Sequence, residues 1–95
     1  MISLSIIAPY QTKFTIKTNC NKLASLLMLK HGKYAVFCDE SQNNIITAIK
    51  HTDFYNVNFN STSFTTNIPL RKIEDIMYEN REYDENLFAI HGGAV

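Results

Sequence analysis

The chain has 95 residues, 45% of them hydrophobic and 19% charged, with a formal net charge of zero. That much apolar side chain offsets chain entropy, so one folded domain spanning residues 1–95 is expected rather than disorder. A neutral total argues against bulk-charge binding of nucleic acid, and no apolar run nears the ~20 residues of a membrane-spanning helix.

The chain opens with Ile2, Leu4 and Ile6 alternating with Ser3 and Ser5, the period of two of a strand with one buried face. Pro9 should end that strand. "TKFTIKT" alternates again, with Phe14 and Ile16 against Lys13, Thr15 and Lys17, so the two runs read as a hairpin.

"NCNKLASLLMLKHG" changes to a helical period. Asn19 or Asn21 is the expected N-cap, and Gly32 can take the left-handed conformation that stops the helix. Lys30 and His31 fall in the last turn, where the dipole favours cations. Cys20, Leu23, Ala24, Leu26, Leu27 and Met28 make the apolar stripe, and Leu29 faces the other way with Lys22 and Ser25.

"KYAVFC" and "NIITAI" are apolar on both faces, which predicts central strands. The polar "DESQNN" between them reads as a hairpin loop in which Asn43 or Asn44 tolerates positive φ. "YNVNFN" sets Tyr55, Val57 and Phe59 against three asparagines, predicting a one-sided strand at an edge or under an open face. Asn67 and Pro69 open a second helix with Leu70, Ile73, Ile76 and Met77 on its apolar stripe, joined by Tyr83 if it runs that far. "NLFAI" closes with a short strand. The predicted class is α+β, in the approximate order ββαβββαβ, with a mostly antiparallel sheet and two helices on one face. The expected core is Leu23, Leu27, Ile6, Phe14, Val36 and Ile46.

Local signatures of chemistry are missing. Cys20 and Cys38 make no disulfide framework, and no basic–apolar leader opens the chain, so a reducing cytoplasm is the expectation. "NST" at 60–62 then reads as a chance glycosylation match. No Cys-x-x-Cys, His-Glu-x-x-His or phosphate-cradling glycine loop is present, so neither metal nor cofactor is expected. Cys38 beside Asp39, with His31, His51 or His91 as base, could serve as a nucleophile. The simpler reading is a small hydrophobe at a strand end, and no catalytic residue is assigned.

Charge is unevenly placed. Residues 1–50 carry six lysines against Asp39 and Glu40, whereas residues 51–95 carry seven acids against Arg71, Lys72 and Arg81. Such halves can present faces of opposite sign to a partner. Asparagine, isoleucine and lysine make up 28 residues, a usage typical of AT-rich genomes such as those of many phages and mobile elements.

"HGKYAVFC" resembles the basic–glycine–aromatic strand of the RNA-recognition motif. It departs from that pattern by an extra lysine after Gly32 and by exchanged valine and phenylalanine. Tyr10, Lys13 and Lys17, or Lys33 and Tyr34, could form a patch for single-stranded nucleic acid. "LFAIHGG" after a hairpin–helix opening resembles the ending of ubiquitin and its sulfur-carrier relatives. That resemblance implies processing after Gly93, because Ala94 and Val95 follow the Gly92–Gly93 pair.

The leading expectation is a small non-enzymatic binding module acting through protein–protein contacts, such as a phage- or mobile-element-encoded inhibitor of a host protein or defence system. Its expected contact residues are Leu29, Tyr55, Asn56, Asn58 and Tyr78, with Lys13 and Lys17 as a charged rim. A protein is the expected partner, a second copy of the chain is a further candidate, and no membrane contact is expected. Single-stranded nucleic-acid (RNA) binding and a ubiquitin-like or sulfur-carrier role are the alternatives.

Overall fold

The computed structural model describes residues 1–7, 12–37 and 44–80. Ile2–Ile7 (β1) and Lys13–Thr18 (β2) form the expected antiparallel hairpin, with Leu4 opposite Ile16 and Ile6 opposite Phe14. The helix Asn21–His31 (α1) follows, then a 3₁₀ turn over Gly32–Tyr34 and the short strand Ala35–Phe37 (β3). Ile45–Lys50 (β4), Tyr55–Phe59 (β5) and Thr62–Thr66 (β6) make an antiparallel meander that leads into Pro69–Glu79 (α2). The class is α+β, with strands in the order β3-β1-β2-β4-β5-β6. Among the described residues every pairing is antiparallel except β2 with β4. Pro9, Tyr10, Cys38, the loop 39–43, Tyr83, the strand expected at "NLFAI" and the Gly92–Gly93 tail lie outside the described residues.

One face of this sheet is the core. Leu4, Ile16, Ile46 and Phe59 stand opposite one another across four adjacent strands, all buried. Ile6, Phe14, Ala48 and Val57 fill the same side, and both helices cover it. Leu23, Ala24 and Leu27 anchor α1, while Ile73, Ile76 and Met77 anchor α2. Each large side chain buried this way stabilises the fold by about 1.5–3 kcal/mol relative to an exposed position.

Several expectations need correction. β3 and β4 do not form a hairpin, because β1 and β2 stand between them. β4 instead continues the sheet from the free side of β2, and an asparagine fastens each end of that parallel pair. Asn44, at φ 55°, donates from Nδ2 to the Lys13 carbonyl at 3.1 Å, and its own carbonyl accepts the Thr15 N–H at 3.1 Å. Asn19 binds both backbone groups of Lys50 at the other end. β3 is therefore an edge strand among the described residues, and Val36 is 56% exposed rather than core. β5 is interior, not an edge, because "TSFTT" forms β6 beside it, and it fits the other reading, a one-sided strand with Asn56 and Asn58 on the outer face. The apolar pattern leaves the β6 segment unassigned, because Phe64 is its only apolar residue; its threonines carry the β-propensity instead.

The helix ends also differ in detail. The N-cap of α1 is Cys20, whose Sγ accepts the Leu23 N–H at 3.5 Å, while Asn19 is used by the sheet. Gly32 ends the helix at φ 52°, as its position suggests. Pro69 starts α2 in the first turn, where its missing N–H has no helical partner to lose. Leu26, placed on the apolar stripe by periodicity, is partly exposed. No helix among the described residues is long and apolar enough to cross a membrane.

Candidate docking surface

β2 and β6 run in the same direction, since β4 is parallel to β2 and two antiparallel pairings separate β4 from β6. Each strand feeds a helix, so α1 and α2 start at the same end of the sheet. A groove of about 690 Å³ lies between them. Leu23, Leu26, Lys22 and Lys30 line it from α1, and Pro69, Leu70, Arg71, Glu74 and Asp75 from α2. Lys50, Tyr55, Asn67 and Ile68 complete its walls.

The chemistry of the groove is apolar with a positive rim. Leu26 and Ile68 are exposed in it, and Leu70 is half-buried. Glu74 is already engaged: its Oε1 accepts from Lys30 Nζ at 2.8 Å, and its Oε2 lies 3.3 Å from His31 Nε2. That leaves Lys22, Lys50 and Arg71 against Asp75 along the groove. Both helix N-termini add partial positive charge at the same end.

Tyr55 links the groove to the core. Its hydroxyl lies 3.4 Å from Cys20 Sγ. Burial pushes the Cys20 thiol up, but several effects together outweigh burial and hold it below its ordinary value. They are the Tyr55 hydrogen bond, the Leu23 and Lys22 N–H groups and the Lys50 charge. The bond to Cys20, then burial, pushes Tyr55 up. Cys20 is a buried free thiol whose contacts are structural: the helix cap, the Tyr55 hydroxyl and, through its N–H, Thr18 Oγ1 at 3.1 Å. His31 sits at the far end of α1, and His51 stacks on Phe54 at 4.7 Å. Among the described residues no three histidine, cysteine or acidic side chains gather to hold a metal.

The expected contact residues divide between surfaces. Asn56, Asn58, Lys13 and Lys17 project from the outer face of the sheet, where Lys17, Thr47, Asn58 and Ser63 form one cross-strand row. Asn56 accepts a 2.9 Å hydrogen bond there from Ser63. Tyr55 lies on the opposite, helix-covered face. Leu29 is 81% exposed and follows Lys22 and Leu26 on α1 at the i, i+4, i+7 spacing. Tyr78 is exposed and follows Arg71 and Asp75 on α2 at the same spacing. Leu29 and Tyr78 therefore extend the two stripes that border the groove. Lys33 and Tyr34 do meet, with Nζ 5.3 Å from the ring centroid, beside β3.

Sequence reasoning missed Leu26, Ile68 and Arg71. Leu26 was hidden by its place in an apolar helix, and Ile68 by its place before a proline. Only the pairing of the two helices brings them together. No protein-family model, curated protein or solved structure matches the chain.

Proposed function

We propose that the chain is a non-enzymatic binding module whose docking surface is the α1–α2 groove, and that its ligand is a protein segment carrying apolar and acidic side chains. One observation carries this reading: Leu26, Ile68 and Leu70 lie within the same groove as Lys22, Lys50 and Arg71. Apolar side chains of a partner would cover the former, and its carboxylates would face the latter. The outer sheet face supports a protein over a single-stranded nucleic acid. Its described strand residues are serine, threonine, asparagine, lysine, isoleucine and valine, with no aromatic ring on which bases could stack.

A cytoplasmic setting suits the free Cys20 thiol. The small size and the asparagine, isoleucine and lysine usage favour a phage- or mobile-element-encoded inhibitor of a host protein or defence system. The test is affinity capture with wild type and a Leu26→Glu/Ile68→Glu variant, both confirmed as folded by thermal melting. A partner retained by wild type and lost with the variant supports the groove. Equal recovery of every protein by both counts against it.

A further inference from the structure

β3 has the composition of a strand flanked on both sides, yet among the described residues it has one neighbour, β1. Ala35 is buried, but one apolar side chain on each face is exposed. Val36 is 56% exposed on the outer face, and Phe37 is 62% exposed on the helix-facing side. Ile7 on β1 and Tyr34, just before β3, are exposed beside them. The opposite edge is quite different: β6 is Thr62–Thr66, with four hydroxyl side chains and one phenylalanine. An edge strand offers unpaired N–H and C=O groups to any incoming strand, and proteins blunt such edges with charge or proline. Neither stands within Ala35–Phe37.

We propose that a second copy of the chain completes the sheet at β3, through antiparallel pairing about a two-fold axis at Val36. The side chains are self-complementary in that register. Val36 meets the partner's Val36 on the outer face. On the helix-facing side Ala35 meets the partner's Phe37, a small residue against a large one, on both sides of the axis. No charged residue lies within the paired strand, so the two-fold brings no like charges into opposition. A two-fold contact of this kind closes on itself, giving a dimer rather than a filament. The strand is short and the apolar patch modest, so the association is reversible and concentration-dependent. The groove stays free in the dimer's design, and the inference stands or falls independently of it.

The experiment is sedimentation velocity on the full chain from low micromolar to near-millimolar concentration, with Val36→Lys and Ser63→Lys beside wild type and melting curves for all three. Val36 is exposed in the single chain, so a lysine there should leave folding intact; Phe37→Ser is the second variant should it not. The expected result is reversible dimerisation of wild type, weakened about tenfold or more by Val36→Lys and unchanged by Ser63→Lys. A wild type that stays monomeric throughout, dimerisation that survives both β3 variants, or equal weakening by Ser63→Lys would each overturn the proposal.

Discussion

Asn19 grips the backbone of Lys50 with both ends of its amide: Nδ2 donates to the Lys50 carbonyl at 3.2 Å, and Oδ1 accepts the Lys50 N–H at 2.7 Å. A side chain thus imitates one more backbone pairing at the end of the parallel β2–β4 seam. Asn19→Ala should cost about 1–2 kcal/mol, the usual net value of a pair of hydrogen bonds. Asn19→Asp keeps the acceptor and loses the donor, and at neutral pH its second carboxylate oxygen faces the Lys50 carbonyl, so its cost should exceed that of Asn19→Ala. Urea denaturation of the three proteins measures this. Stability unchanged in Asn19→Ala would show that water replaces both bonds without loss.

Leu27 is fully buried beneath α1. Leu27→Ala removes that packing and leaves a cavity, for an expected loss of ~2–5 kcal/mol. In a domain of this size that is a large share of the total margin. Leu29→Ala, two positions on and exposed, should change stability by less than about 0.5 kcal/mol. Equal melting temperatures for the two variants would contradict the assignment of the buried face.

Much of this architecture was legible in the sequence, and the failures share one cause. The hairpin, both helices, the Gly32 stop and the buried face of β5 follow from local periodicity and local backbone chemistry. Strand order does not. The apolar run at Ala35–Phe37 reads as central because residues on both its faces avoid water in composition, and nothing local says that only β1 lies beside it. Thr62–Thr66 lacks the alternation that marks a strand. The same limit applies to the docking surface: Leu29 and Tyr78 stand out on polar helix faces, but the groove requires two helices to lie side by side. Local chemistry offers Asn19 or Asn21 as a cap and Asn43 or Asn44 as a turn former; the sheet contacts of Asn19 and Asn44 span long sequence distances that no window contains.

Thr15 presents a buried hydroxyl on the outer face of β2 that makes no hydrogen bond. Desolvating a hydroxyl without a partner costs about 1–3 kcal/mol on mutational scales. Thr15→Val keeps the shape and the β-branch while removing the unsatisfied group. Its expected effect is a gain of about 1 kcal/mol, read as a rise in the denaturation midpoint. A fall instead would mean that the hydroxyl is satisfied in solution.

The Cys20–Tyr55 pair predicts a distinctive pH dependence. Cys20 in the folded chain releases its proton below the ordinary 9.0, so between its folded value and 9.0 the unfolded chain binds the more protons and stability rises with pH. That contribution is lost as pH falls through the folded value. Tyr55 is shifted the other way, above 10.0, so past that point the unfolded phenol ionises first and stability declines. Urea midpoints should therefore climb on the approach to pH 9.0 and drop beyond pH 10.0. Cys20→Ala should flatten the climb. A wild-type curve that superimposes on the variant's would remove the thiol from the account.

The parallel pairing of β2 with β4 also has a kinetic meaning. The β1–β2 hairpin and the β4–β5–β6 meander close between near neighbours in the chain, whereas the Asn19–Lys50 contact joins residues 31 positions apart and the β1–β3 pairing spans a similar distance. Loop closure over that distance comes late, so we expect the hairpin and the meander to form first and the β2–β4 seam to close after the rate-limiting step. Asn19→Ala should then hasten unfolding while leaving the refolding limb of a stopped-flow chevron nearly in place. Slower refolding with unaltered unfolding would make the seam the nucleus instead.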